Sequence, residues 1–514
     1  MDADVVIVGY GPVGQLAAAL LGALGHRVTV FERRAEPYRR PRAVHYDHEI
    51  ARILDAAGVS GDLASLTEPA TAYEWRNAVG QTLLLMDWTG PGPSGWPGAT
   101  MFSQPDLERV LDARVRRLPT VTVHRGWRVT SLAEADGHVL VGARGGSQAD
   151  RAPAGRGEPR SLRARYLIGC DGANSFVRDW LATAVHDLGF AFDWLIADTI
   201  PRDPGLLAGV NRQICDPVRP TTMVSGGPGR RRWEWMLLPG ESPDEVLEPG
   251  FVWKLLARSG VEPGDVEVER TAVYNFRARW ALQWRRGPVL LAGDAAHLMP
   301  PFAGQGMGAG VRDVANLTWR LDLILRGLAS DAMLDAYQAE RQAHLQHAIT
   351  RSVELGKVIC VSDPAAAAMR DQQMLAVAAD PALAPPPPPE PQLGPGTLLT
   401  DDATAGTLFP QGVVTVDGVS GRFDDVVGRG FILYVLGSDP DIAIGQGESD
   451  DLEALGGRTV AVTAEMDTAE VYRSWFAKHD ARAVLVRPDF YVFGSASGDA
   501  AGLVTELRQR LMSP

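Results

Sequence analysis

The 514-residue sequence predicts an α/β protein with an antiparallel sheet inserted in it and a further unit at its C-terminal end. Three observations predict this. Short β-branched runs alternate with helical segments through roughly the first 380 residues, the pattern of a parallel sheet with helices on its faces. Two central stretches have strand character and no helical period. Five consecutive prolines, Pro385–Pro389, then set off the last part of the chain behind an extended, semi-rigid segment.

The elements follow in order. Val5–Val8 reads as a buried strand, residues 12–24 as a helix ended by Gly25, and Val28–Phe31 as the next strand. Gly145–Pro159 is rich in Gly, Arg, Ala and Pro and reads as an exposed loop. Arg163–Ile168 and Pro288–Ala292 are further strands, each running into a Gly/Asp turn, and residues 311–328 and 331–356 are helices. Between them, Arg212–Ser225 and Arg231–Leu238 form the inserted sheet. The expected organisation is a discontinuous domain of residues 1–175 and 281–384, an inserted sheet domain of 176–280, a linker of 385–396 and a C-terminal domain of 397–514.

Composition excludes several classes. Fifty Lys and Arg against 63 Asp and Glu give a net charge of −13, which opposes binding to a phosphate backbone. Three cysteines (Cys170, Cys215, Cys360) with no Cys-x-x-Cys exclude a disulfide scaffold and a thioredoxin-type redox pair, and suit a cytoplasmic protein. No apolar run is long enough for a membrane span, and the acidic start lacks the basic region of a signal peptide. His45-x-x-His48 and His344-x-x-His347 have metal-like spacing but no further ligands arranged with them, so no metal is expected.

Gly9-Tyr10-Gly11-Pro12-Val13-Gly14 is a G-x-G-x-x-G that leaves a strand and opens a helix. The first glycine makes the tight turn, the second lets the backbone approach a pyrophosphate, and the third lets the helix pack on the strand. The free N–H groups of the helix start hold the phosphate charge, and Pro12 suits the first turn. Glu32, followed by Arg33, ends the second strand where an acid takes a ribose hydroxyl pair. That acid would repel a 2′-phosphate, so FAD or NAD is favoured over NADP at this Rossmann-like site.

Two further motifs narrow the ligand to FAD. Cys170-Asp171-Gly172 places a carboxylate at a strand's carboxyl end. Gly293-Asp294-Ala295-Ala296-His297 and Pro301-Phe302-Ala303-Gly304-Gln305-Gly306-Met307-Gly308 place Asp294 near sugar hydroxyls and a glycine-rich backbone where a flat ring can approach. The last run also fits G-x-G-x-x-A, but it leaves no strand directly and has no acid at the right distance, so no second Rossmann site is expected. Trp233-Glu234-Trp235 reads as an alternating strand.

These motifs, with Pro41-Arg42-Ala43-Val44, Tyr73-Glu74-Trp75-Arg76, Phe102-Ser103-Gln104-Pro105-Asp106-Leu107-Glu108 and the run Arg232–Glu241, resemble the class A flavoprotein aromatic hydroxylases over nearly the whole chain. The resemblance extends to the 3-(3-hydroxyphenyl)propionate and phenol hydroxylase branch and its polyketide-tailoring relatives. It implies an FAD-binding domain, an inserted substrate sheet and a thioredoxin-like C-terminal domain, here without cysteine and so redox-inert, with packing or homodimerisation as its role. It implies that Gly9, Gly11 and Gly14 hold the pyrophosphate, Glu32 the adenosine ribose, Arg42 and Gln104 the flavin and its ribityl-phosphate chain, Asp171 both FAD and nicotinamide, Asp294 the ribityl chain, and Pro301 to Met307, with Gly304 and Gly306, the ring. The implied reaction consumes NADH or NADPH and O2 and hydroxylates a small phenolic or polyketide aromatic through a flavin C4a-hydroperoxide. Epoxidation, Baeyer–Villiger insertion or halogenation on the same scaffold is the alternative.

Phenol activation needs a base within hydrogen-bond reach. Asp47 and His45 are candidates because they follow Arg42. Asp47 equally suits an N-cap for the apolar-periodic Ile50–Leu54 segment. His297 is the third candidate, with a structural role bridging its turn as the competing reading. Tyr274, Arg277 and Trp75 are placed to reach substrate from the sheet, with packing as their alternative.

Overall fold

A computed structural model describes residues 1–37, 42–146, 159–207, 209–386, 391–437 and 444–512. Pro41, most of the Gly145–Pro159 loop and Pro387–Pro389 of the linker lie outside these residues.

The first sheet is built on the strand Ala3–Val8, whose side chains are buried on both faces, as a central parallel strand requires. It pairs in parallel with Arg160–Gly169 on one side and Val28–Glu32 on the other, and the parallel run continues to Val289–Leu291 and Val121–Arg125. An antiparallel hairpin, Trp127–Ala135 and His138–Gly145, adds to Arg160–Gly169. The helices Pro12–Ala23 and Gly306–Leu325 pack against each other and close one face. That second helix starts five residues before the expected 311, inside the glycine run. The glycines of this stretch let it pack closely on the first motif: a Cβ on Gly310 would lie 2.6 Å from Val13 Cγ2 and 3.0 Å from Gly293 Cα. The expected helix 331–356 is a short 3-10 turn, Asp331–Leu334, followed by the helix Asp335–Ile359.

The second sheet is mixed and also eight-stranded. Its frame is the antiparallel pair Val185–Pro201 and Val266–Ala281, followed by Arg231–Met236, Thr221–Ser225 and Arg212–Cys215. The stretch Arg212–Ser225 thus holds two strands. The sheet also recruits strands from outside residues 176–280. Ala72–Asn77 pairs in parallel with Arg212–Cys215 and carries Thr82–Asp87 at the edge, and His297–Leu298 pairs with Val266–Ala281. The expected boundary misses these because the joining register is a long-range pairing with no local signal. Alternation along Arg231–Met236 sends Trp233 and Trp235 to an outer core with Leu255 and Leu256. Met236 instead joins an inner core with Trp75, Trp194 and Phe276.

At the C-terminal end a hairpin, Val413–Val416 and Val419–Arg422, turns on Asp417-Gly418, both at positive φ as a two-residue turn demands. A four-stranded sheet follows in the order Arg458–Val462, Ile432–Leu436, Ala483–Val486, Val492–Ala496, with helices Gln446–Ala454, Val471–His479 and Ala500–Met512. One face of this sheet has its own core, while Phe431, Leu433 and Leu485 on the other join the core of the first sheet. Buried ion pairs reinforce the junction. Arg52 is bidentate to Asp424, and Arg487 joins Asp489 to Glu340 of the helix Asp335–Ile359. The unit set off by the prolines is therefore packed onto the rest of its own chain. Among the described residues no helix is long and apolar enough to cross a membrane.

Candidate active site

The three glycines of the first motif have three distinct surroundings. Gly9 has φ +98°, and a Cβ there would meet the Cys170 carbonyl oxygen at 2.4 Å. A Cβ on Gly14 would meet the Gly9 carbonyl oxygen at 2.2 Å. A Cβ on Gly11 would meet nothing within 4 Å. The first and third are packing glycines, while the second fronts open space at the start of the helix Pro12–Ala23, beside Pro12 and Val13, which are only half-buried. Glu32 accepts from the Tyr10 and Arg34 backbone N–H groups at 2.9 and 2.8 Å, which holds its carboxylate at the mouth of this turn. Arg33 is exposed beside it.

Across the sheet edge, the turn after Val289–Leu291 presents Asp294, which meets Arg42 Nη1 at 3.1 Å with both side chains substantially exposed. The Arg42 backbone is itself held: its N–H and that of Ala43 both donate to Gln104 Oε1, at 3.0 and 2.9 Å. Gln104 Nε2 in turn donates to Glu108 Oε1 at 2.8 Å. Burial pushes the Glu108 carboxyl up to about 7, against the opposing pull of the Gln104 hydrogen bond. Glu108, four residues on along the same helix, orients Gln104, a role the sequence motif did not assign to it.

The strand His45–Asp47 lies beside the glycine turn. Asp47 N-caps the helix His48–Ala56, accepting from the Glu49 and Ile50 N–H groups at 3.1 Å each. It also accepts from Gln305 Nε2 at 3.0 Å and Arg312 Nη2 at 2.6 Å. Burial alone would raise its pKa; the Arg312 guanidinium outweighs that and holds the carboxyl well below the usual range. A carboxylate so saturated and so acidic is a poor proton acceptor, so the structure favours the cap over the base. His45 is the opposite case. Burial lowers its pKa, against the attraction of Asp47, and so disfavours the charged ring. Its Nδ1 side faces Gly304, with which it makes a backbone hydrogen bond. Its Nε2 is buried and has no hydrogen-bond partner among the described residues. The ring stacks on Trp88 at 5.5 Å, and Trp88 stacks on Tyr73 at 5.6 Å.

The inner face of the second sheet completes the enclosure. Trp75, Gln213, Thr222, Glu234 and Ile196 are successive cross-strand partners and share this face. Thr222 Oγ1 donates to Gln213 Oε1 at 2.6 Å, and the Tyr73 hydroxyl reaches the same oxygen at 3.4 Å. At one end of the face Arg232, paired with Asp198 at 2.7 Å, donates from Nη1 to the Arg42 carbonyl at 2.6 Å. At the other, Trp194 and Phe276 meet the Phe302 ring edge-on at 5.6 and 5.8 Å. Glu234 lies on the row between these ends. Burial raises its pKa against the attraction of Arg232. Tyr274 belongs to this face by register, and Trp75 is buried in its core. Arg277 instead donates to Asn275 Oδ1 on an exposed stretch.

Two further expected residues are bonded within the scaffold. His297 is 2% exposed, and its Nε2 lies 2.6 Å from Asp313, which also accepts from the Gly293 N–H at 3.0 Å and Arg341 at 3.1 Å. This network ties His297 into the turn that carries Asp294, the bridging role that competes with a catalytic one. The Asp171 carboxylate is turned inward onto Ser175 Oγ and the Val177 N–H, tying the start of the helix Phe176–Leu181. At that motif the part open to a ligand is the backbone at Gly172, where φ is +82°.

These residues fit a flavin dinucleotide. Gly11 offers a side-chain-free helix start, and Arg42 and Asp294 stand exposed at the far edge. Between them, Met299 and Phe302 to Met307 are only half-buried although they lie between two sheets.

Comparison with known proteins agrees with this geometry. The family described as "FAD binding domain" matches residues 2–352, and the "HcaD C-terminal domain" matches residues 406–510. The chain is 40% identical to a probable NADH-specific resorcinol 4-hydroxylase of Rhodococcus jostii (strain RHA1), over 98% of this chain and 94% of that one. It is 33% identical to a 3-(3-hydroxy-phenyl)propionate/3-hydroxycinnamic acid hydroxylase of Mycobacterium sp. (strain JLS), over 97% and 90%. Among solved structures, the flavin-dependent monooxygenase PieE, in complex with FAD and substrate, superposes with a TM-score of 0.80 at 21% identity over the full length of both chains. Aklavinone-11 hydroxylase, solved with FAD and aklavinone, does so with a TM-score of 0.78 at 23% identity, over 100% of this chain and 99% of that one. These two share the fold.

Proposed function

The chain belongs to the FAD binding domain family and, within it, to the class A flavoprotein aromatic hydroxylases, and on that premise we propose that it hydroxylates a small phenol with NADH as reductant, His45 serving as the base. The observation that carries the assignment of the base is the buried, unpartnered Nε2 of His45 beside the Gly304 turn. The names of the two relatives support a phenolic substrate, and that of the first supports NADH.

The residues divide the work as follows. Gly9, Gly11 and Gly14, with the helix start at Pro12, bind the pyrophosphate; Glu32 takes the adenosine ribose; Arg42, Gln104 and Asp294 take the ribityl chain; Pro301 to Met307 take the ring. Bound FAD supplies the reduction of dioxygen and the electrophilic oxygen. The helix Gly306–Leu325 directs its positive end to the ring. His45, neutral and with Nδ1 engaged at Gly304, accepts the phenol proton at Nε2 and makes the ring electron-rich. Glu234 and Tyr73 bind a second polar substituent, while Trp88, Phe276 and Phe302 exclude water.

We read the C-terminal unit as thioredoxin-like, from its βαβαββα order, and the protein as a cytosolic homodimer, for which the free thiols of Cys170, Cys215 and Cys360 support the compartment. Light scattering tests the dimer.

The test is a panel of phenols, including resorcinol and 3-(3-hydroxyphenyl)propionate, scored by stimulated NADH oxidation and by product mass. A gain of one oxygen atom is expected. His45→Asn should keep FAD and lose about 10²- to 10⁴-fold in hydroxylation. NADH consumption that no aromatic stimulates would overturn the reading.

A further inference from the structure

A chain of buried polar contacts runs from the C-terminal unit to the turn assigned above to the flavin ring. The Tyr491 hydroxyl donates to Glu49 Oε1 at 2.8 Å. Glu49 Oε2 accepts from Arg312 Nε at 2.5 Å. Arg312 Nη2 donates to Asp47 Oδ2 at 2.6 Å, and Arg312 Nη1 to Gln305 Oε1 at 2.8 Å. Gln305 Nε2 closes the ring on Asp47 Oδ2 at 3.0 Å. Tyr491 and Glu49 are each 4% exposed.

From this geometry we propose that Tyr491 is a positioning residue: the redox-inert C-terminal unit fixes the flavin-facing turn by holding Glu49, and through it the Arg312 fork that grips Gln305. The proposal rests on the flavin reading above. Its physical basis is the rigidity of the guanidinium plane. The three nitrogens of one Arg312 side chain address three acceptors, so a shift at Glu49 is carried to Asp47 and Gln305. Gln305 depends on this grip. It is flanked by Gly304, at φ +64°, and Gly306, so the backbone supplies little stiffness and both ends of its amide are bonded into the network. The first turn of the helix is built to admit the guanidinium, since a Cβ on Gly308 would lie 3.0 Å from Arg312 Nη1. Two carboxylates share one arginine here. Without the tyrosine hydroxyl, Glu49 must draw more on Arg312, at the expense of Asp47 and Gln305.

The experiment compares full-length protein with Tyr491→Phe and Glu49→Gln, and with Arg429→Ala as a second cut in the same junction. Arg429 pairs with Asp55 and with Asp424 at 3.5 Å and does not reach Gln305. FAD affinity is read by quenching of flavin fluorescence, the ring environment by the visible absorption spectrum, and stability by thermal melts. Tyr491→Phe should weaken FAD binding about 5- to 10-fold and shift the flavin band. Glu49→Gln should do the same, which keeps the test decisive if one variant folds poorly. Arg429→Ala should keep the wild-type affinity and spectrum whatever its melting temperature. Wild-type affinity and spectrum in both Tyr491→Phe and Glu49→Gln would overturn the proposal, and so would an equal shift in Arg429→Ala, which would make the effect one of docking alone. Failure of the wild-type protein to bind FAD would strike the flavin reading itself.

Discussion

Gly11 and Gly14 stand three residues apart in one motif, yet alanine at each should fail in a different way. At Gly11 the backbone has φ −80° and ψ −173°, which alanine adopts freely, and the added methyl meets no protein atom within 4 Å. The fold should lose nothing, and alanine's smaller unfolded-state entropy should add about 0.4–1 kcal/mol. The methyl instead occupies the space a pyrophosphate needs to reach the helix N–H groups. Losing about one charge-assisted hydrogen bond costs about 1.5–3 kcal/mol, or roughly 10- to 150-fold in Kd for FAD. At Gly14 the methyl would lie 2.2 Å from the Gly9 carbonyl oxygen, deep inside van der Waals contact with backbone. Helix and turn must separate, at about 1–3 kcal/mol or more of folding stability. Flavin fluorescence titration and thermal melts of FAD-stripped protein read the two effects separately. A Gly11→Ala variant that binds FAD as wild type would refute the placement of the pyrophosphate, and a Gly14→Ala variant that melts as wild type would refute the packing argument.

Three further outcomes are expected. Glu108 is raised from 4.5 to about 7, so the folded state holds a proton there that the unfolded state has lost. Stability should therefore fall as pH rises from 4.5 to 7, by about 3 kcal/mol in all, and stay lower above it. Glu108→Gln should remove that slope in melts recorded from pH 5 to 8. Arg52→Met strands the Asp424 carboxylate, which is 5% exposed, and among the described residues leaves it Arg429, at 3.5 Å, to offset the loss. Urea midpoints should report a cost of about 3 kcal/mol. Arg312 keeps Asp47 ionised at working pH, whereas burial lowers His45 from 6.5. Activity should thus rise with pH through a limb below 6.5 that survives in Asp47→Asn, even if kcat falls, and disappears in His45→Asn. The reverse assignment in the pH profiles would make Asp47 the base.

Local patterns were legible in the sequence where a residue's role is set by its neighbours along the chain. The Gly9–Gly14 turn follows Ala3–Val8 because a run of β-branched residues ends at a glycine that alone tolerates φ +98°. The Trp233/Trp235 alternation was readable as a strand for the same reason. What local pattern does not carry is partnership. Residues 72–87 join the second sheet through a parallel pairing with Arg212–Cys215, and nothing within either segment specifies the other. The proline run marked a boundary in the chain but not in the core, because Phe431, Leu433 and Leu485 bury against the first sheet rather than only within their own unit.

The same limit explains the site. Asp47, His45 and His297 were alike as candidates, since each is a titratable residue next to a flavin-side motif. Their roles diverge through contacts that sequence proximity cannot supply. Arg312 turns Asp47 into an ionised cap, Asp313 locks His297 into the scaffold, and Gly304 engages one nitrogen of His45 while leaving the other without a partner. Glu234 escaped notice because its strand is buried on both faces, so alternation shows that it opposes Trp233 and Trp235 but not which face looks toward the flavin turn. That choice is made by Phe302, which touches Trp194 and Phe276 on the face Glu234 shares. On the reading proposed above, the proton acceptor is selected by which groups are already engaged: of Asp47, His297 and His45, it is His45 that keeps a buried ring nitrogen without a partner among the described residues.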